Sequence, residues 1–321
     1  MSTGQFLSHC TADALSQAAQ ALKDGALVAF PTETVYGLGA DATNAEAVAR
    51  IYEVKGRPAD HPLIVHLASA QMIVDWTDDV PDYAIALARE FWPGPMTLIF
   101  RRGELAKDFI TGGQETVGLR VPDHVLALAF LEAFHKIGGK GVAAPSANRF
   151  GHVSPTTATD VTEELSNFLA PQDLILDGGA CSVGVESTII DCTGTAPRVL
   201  RPGAITVEMI ESTTGLKVTE IGDEIRASGL LEKHYSPRAK VILNQSPTVG
   251  SGFIALSEIA TPEGVNRLAA PTSNDEFART LYSALRAADA QSLSSVFVHE
   301  PQGDGIATAI RDRLSRASKG R

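Results

Sequence analysis

The sequence predicts an α/β protein of two units, a larger one built on a helix-covered sheet and a smaller open-sheet one after it. Helix-period and strand-like runs alternate as far as Leu200, and the periodicity fades from Gly222 to Pro237. A second alternation starts at Lys240. These runs place the units at residues 1–221 and 239–321, with 222–238 as a linker. With 321 residues, 44% hydrophobic and 20% charged, the chain is long enough to bury two ordinary cores.

Thr11 is placed to cap a helix whose apolar residues Leu15, Ala18, Ala19 and Leu22 recur at helical spacing until Gly25 stops it. Ala26 to Phe30 then reads as a buried strand, and a loop starts at Pro31. Asn44 caps a second helix that Gly56 ends, and Leu63 to Leu67 is the next apolar strand. The same reasoning gives helices near Asp82 to Phe91 and Val125 to Ile137. It gives strands at Met96–Phe100, Val117–Val121, Gly141–Ala144, Leu174–Leu176, Ser187–Asp191 and Arg198–Leu200. Past the linker, Lys240–Leu243, Gly252–Leu256 and Ser295–Val298 read as strands, and Asp275–Ala288 and Ile306–Ala317 as helices. No internal repeat or low-complexity tract interrupts this order.

Composition narrows the function. Apolar runs such as Ala26 to Phe30 fall far short of the roughly 20 residues that cross a bilayer, so no membrane span is expected. Met1 to His9 has no basic start followed by an apolar stretch, so no export signal is expected and a cytoplasmic protein follows. Cys10, Cys181 and Cys192 stand apart, which argues against a disulfide framework or a zinc knuckle and leaves them as small buried residues. Residues 1–239 carry 18 positive and 30 negative side chains, against 9 and 8 in 240–321. Stable nucleic-acid binding needs clustered positive charge, so a small ligand suits the acidic first unit better.

Two nucleotide signatures are only superficially present. Gly138-Gly139-Lys140-Gly141 lacks the spacing of a phosphate-binding loop, and Gly37-Leu38-Gly39 lacks the third glycine of a dinucleotide fingerprint. Polar groups at strand ends remain, where α/β proteins place ligands. In Pro31-Thr32-Glu33-Thr34-Val35-Tyr36-Gly37, two hydroxyl residues and a tyrosine either present donors to a small polar ligand or simply make a turn. Lys55-Gly56-Arg57-Pro58, before His61 and His66, either converges on a polyanion or answers a helix dipole. Ala144-Pro145-Ser146-Ala147-Asn148, with Ser154-Pro155-Thr156, either meets phosphate or sugar oxygens or caps a helix beginning near Thr157. Arg120, in an apolar strand, needs either a carboxylate partner or an anionic ligand. Ser187-Thr188 and Arg201-Pro202-Gly203 complete the set. Lys55, Arg57, Arg120 and Arg201 together supply concentrated positive charge within an acidic unit, and a phosphate-bearing substrate explains them best.

In their order and spread, these segments from Ala14 to Gly203 resemble the YrdC-like family in its long two-domain form, the threonylcarbamoyl-AMP synthases. The resemblance implies a catalytic domain on a twisted mixed sheet with a deep positive cavity, then a smaller Rossmann-like domain. It implies an enzyme of the nucleotidyltransferase class that joins L-threonine, bicarbonate and ATP, with Mg2+ on the nucleotide, into threonylcarbamoyl-AMP and pyrophosphate. A separate transferase complex would use that product to modify the adenosine beside the tRNA anticodon.

Position by position, the family's catalytic Lys and Arg fall on Lys55 and Arg57, and its Ser-x-Asn on Ser146 and Asn148. ATP contacts fall on Arg57, His61, Thr116, Ser146, Ser154, Arg201 and Tyr235, beside Lys55 and Asn148. Threonine contacts fall on Thr34, His66, Arg120, the Ala144 backbone and Ser187. The linker keeps His234-Tyr235 and Pro237 but has Leu231 and Lys233 where the family has Lys and Arg. Related hydrogenase-maturation enzymes carry zinc-binding Cys pairs, which the three lone cysteines oppose, and the acidic balance opposes an RNA-binding module.

Overall fold

The computed structural model describes residues 11–219, 225–226 and 235–320, and the backbone of 5–7. The linker expected at 222–238 therefore lies largely outside the described residues, as does Cys10. The strands of the larger unit are β1 (Gln5–Leu7), β2 (Val28–Phe30), β3 (Gly37–Asp41), β4 (Ile64–His66), β5 (Met96–Arg101), β6 (Thr116–Arg120), β7 (Val142–Ala143), β8 (Leu174–Leu176), β9 (Thr188–Asp191) and β10 (Arg198–Arg201). They form one mixed sheet in the order β1-β8-β2-β3-β7-β4-β6-β5-β9-β10. Helices α1 (Ala12–Lys23), α2 (Ala45–Lys55), α3 (Asp82–Phe91), α4 (Asp108–Thr111), α5 (Val125–Lys136), α6 (Ala158–Leu165) and α7 (Val207–Thr214) cover it.

Local signals explain the boundaries. The Thr11 hydroxyl accepts from the Ala14 amide at the start of α1. The Asn44 side chain accepts from Glu46 and Ala47, and Gly56 closes α2 in the left-handed region at φ 62°. The helix after Ser154-Pro155-Thr156 is capped by Thr157, whose hydroxyl and the Asp160 carboxylate form a reciprocal capping box. The loop expected from Pro31 turns into a strand at Gly37, because β3 pairs antiparallel with both β2 and β7. Glycine permits that close approach: a Cβ on Gly39 would lie 2.6 Å from Val142 Cγ1.

The second unit holds β11 (Lys240–Leu243), β12 (Gly252–Ile254), β13 (Asn266–Ala269) and β14 (Ser295–Val298), all parallel in the order β11-β14-β12-β13. Helices α8 (Asn274–Ala290) and α9 (Ile306–Ser318) pack on it. β13 carries Asn-Arg-Leu-Ala, with no β-branched residue to announce a strand. The core of this unit runs without a break into Val35, Val153 and Val185 of the first, so the two units are joined by apolar packing. Gly184 makes the approach close, since a Cβ there would stand 2.4 Å from the Arg279 Cα in α8. No helix among the described residues is long and apolar enough to cross a membrane. Cys181 and Cys192 are buried and free.

Candidate active site

β4 and β6 run parallel with His66 opposite Arg120, so both side chains leave the sheet at the same carboxyl edge. β7 is antiparallel to β4, and β2 runs the same way as β7, so the loop after β2 with Thr32 and the turn after β7 with Ala144, Pro145 and Ser146 reach the same space from the opposite end of these strands. The end of β10 adds Arg201, and Glu186 and Ser187 precede β9. Together with Arg57 and Tyr235 these residues line a recess of about 530 Å³.

Three guanidinium groups face it, each fixed differently. Arg57 donates to the Pro62 carbonyl at 3.1 Å and lies over the Phe150 ring. Burial pushes its pKa down to about 10, which still leaves it charged at neutral pH. Arg120 meets Glu33 at 2.7 Å, both buried, and donates to the Thr34 hydroxyl at 2.9 Å. Of the two partners the sequence left open for Arg120, the carboxylate is present. Arg201 donates to the Ser187 carbonyl at 3.0 Å and to its hydroxyl at 3.1 Å. His66 is pushed down to about 3 by burial and by Arg120, so it is a neutral imidazole at physiological pH.

Six residues expected at the site do not line the recess. Lys55 is one of them: its buried ammonium donates to the carbonyls of Ser146, at 2.6 Å, and of Asn148. The helix turn that presents Lys55 at the end of α2 aims it beneath the 146–148 turn, and burial holds its pKa well below the ordinary lysine value. Asn148 also serves that turn, donating to the Arg149 and His152 carbonyls and accepting from the Ser146 hydroxyl. Ser154 donates to Glu186 at 2.6 Å. Thr34 stands behind Arg120, sharing a hydrogen bond with Thr32 at 2.9 Å. His61 packs edge-on against Phe150. Thr116 lines a neighbouring hollow of about 300 Å³ with Thr97, Gln114 and Arg226, and Ile64 borders both.

Other residues at the site were not singled out in the sequence. Glu33 and Glu186 each adjoin hydroxyl residues in the chain, and Tyr282 and Arg313, which reach Glu186, lie in the second unit. No local pattern marks a contact that spans 127 residues.

Comparison with known proteins identifies the family. The model of the Sua5–YciO–YrdC family, described as telomere recombination, matches residues 20–203. That of the threonylcarbamoyl-AMP synthase C-terminal domain matches residues 205–319. The chain is 37% identical to a threonylcarbamoyl-AMP synthase of Pyrococcus abyssi, covering 94% of this chain and 93% of the relative. It is also 37% identical to one of Bacillus subtilis, covering 96% and 93%. A crystal structure of P. abyssi Sua5 complexed with L-threonine superimposes with a TM-score of 0.87 at 36% identity, covering 98% of this chain and 97% of that one.

Proposed function

The chain belongs to the Sua5–YciO–YrdC family in its two-domain, threonylcarbamoyl-AMP synthase form, and on that premise we propose that it makes threonylcarbamoyl-AMP from L-threonine, bicarbonate and ATP. The observation that carries this reading is the convergence of Arg57, Arg120 and Arg201 with Ser146 and Ser187 on one recess. In the proposed reaction the threonine amine adds to bicarbonate with loss of water. The resulting carbamate oxygen attacks the α-phosphorus of ATP, and the bond to pyrophosphate breaks. Such chemistry needs positioning and charge stabilisation rather than a covalent nucleophile, which matches a lining of cations and hydroxyls.

Arg57 and Arg201 suit the phosphates. Arg120, its charge offset by Glu33, suits the threonine carboxylate as a directional donor beside the neutral His66 and the Ser187 hydroxyl. Lys55 takes a supporting role, holding the turn that presents Ser146. The acid in the lining, Glu186, already accepts from Ser154, Tyr282 and Arg313, so Mg2+ enters with ATP, held by phosphate oxygens and water. We assign catalysis to residues 1–221, with 222–238 as the linker to a second domain at 239–321. The product would pass in the cytoplasm to the transferase that modifies tRNA.

Incubation with ATP, Mg2+, bicarbonate and each amino acid in turn tests the proposal. Pyrophosphate and a carbamoyl adenylate should appear only with threonine. Pyrophosphate release that ignores the amino acid, or its absence under all conditions, would contradict it.

A further inference from the structure

A carboxylate bordering a phosphate site works against binding unless a cation cancels it. Glu186 is such a group, buried in the same lining as Ser187 and Arg201. Its charge is met from the other unit. Arg313, on α9 and wholly buried, donates through Nε to Glu186 Oε2 at 2.8 Å and through Nη2 to the Pro202 carbonyl at 3.0 Å. Its guanidinium also lies 5.3 Å over the Tyr235 ring and pairs with Asp312. Tyr282, on α8, donates to the same Oε2 at 2.8 Å and stacks on Tyr235 at 5.8 Å. The remaining oxygen of Glu186 accepts from Ser154. Each group that Arg313 contacts in the first unit or the linker thus either lines the recess or adjoins Arg201.

We propose that Arg313 is a positioning residue of the ATP site: it cancels the Glu186 charge beside the phosphate-binding cations and holds Pro202 and Tyr235 in place. The C-terminal domain thereby completes the electrostatics of a site it does not itself contain. Burying a guanidinium is costly unless it is paired and hydrogen-bonded, and here it is both. Removing it strands a buried negative charge next to the nucleotide.

The proposal rests on reading the recess as an ATP site, so the test measures Mg-ATP affinity by calorimetry as well as kcat and KM. Arg313→Gln should weaken Mg-ATP by about tenfold or more. It should raise the KM for ATP more than that for threonine. Arg313→Lys, which keeps the charge, and the double variant Glu186→Gln/Arg313→Gln, which removes the stranded one, should both recover most of the loss. A double variant as weak as Arg313→Gln, or Arg313→Lys as weak as Arg313→Gln, would overturn the proposal. If Arg313→Gln does not fold, the other two carry the test: affinity within about threefold of wild type supports the coupling, and a loss of about tenfold in either refutes it. Wild-type protein that binds Mg-ATP without forming threonylcarbamoyl-AMP would sink the function reading while the affinity series still judges Arg313. Wild-type protein that does not bind Mg-ATP would overturn both.

Discussion

Arg120 shows how one side chain serves both fold and site. It leaves an apolar strand, and its partner Glu33 sits in the loop after β2, so the ion pair ties that loop to the carboxyl edge of β6. A buried pair is a weak net stabiliser, but breaking it leaves an uncompensated charge. Arg120→Gln should therefore lower unfolding stability in guanidinium chloride by about 3–5 kcal/mol. Glu33→Gln/Arg120→Gln should lose less stability, and both variants should lose threonine binding. A single variant as stable as wild type would contradict the pairing. At this scale the sequence was partly legible. Arg57, Ser146, Ser187 and Arg201 stand beside glycine, proline or another hydroxyl, Arg57 just past the end of α2 and the others at strand ends, and all four face the recess. Lys55 and Asn148 carried the same signals yet turn inward to hold the loop backbone. Spacing identifies a ligand loop but not which of its side chains points out of it.

Elements were legible where caps and periodicity agree, as in α1, α2 and α8, and not where packing overrides propensity, as in β3 and β13. Helix α6 shows what an element adds to the site. Its Glu164 accepts from the Arg149 amide at 3.2 Å, meets His152, and reaches Arg286 of α8 at 3.4 Å. Burial alone would raise the Glu164 pKa, but His152 and Arg286 outweigh it and hold it down to about 2, against an ordinary 4.5. A depressed acid stabilises the fold fully above its unfolded value and loses that contribution as pH falls through its folded one. Acid titration of stability should thus decline from about pH 4.5 toward about pH 2, and Glu164→Gln should flatten part of that decline. Superimposable acid curves for the two proteins would show that Glu164 does not anchor this junction.

At the scale of the molecule, the acidic balance of the first unit and its concentrated cations are two sides of one arrangement. Negative side chains outnumber positive ones by 30 to 18 in residues 1–239, while Arg57, Arg120 and Arg201 are buried around one recess. The two-unit division was readable as a fading of periodicity. The continuity of the second core with Val35, Val153 and Val185 was not, because each is an ordinary valine until the chain brings them together. Gly184 shows the same limit, its approach to α8 visible only in three dimensions. The central claim is that distant cations make one nucleotide site. A crystal structure with a non-hydrolysable ATP analogue, Mg2+ and L-threonine tests it most directly. The phosphates should lie within hydrogen-bond reach of Arg57 and Arg201, with the threonine carboxylate against Arg120. Nucleotide bound away from that recess, with those three guanidinium groups untouched, would contradict the account.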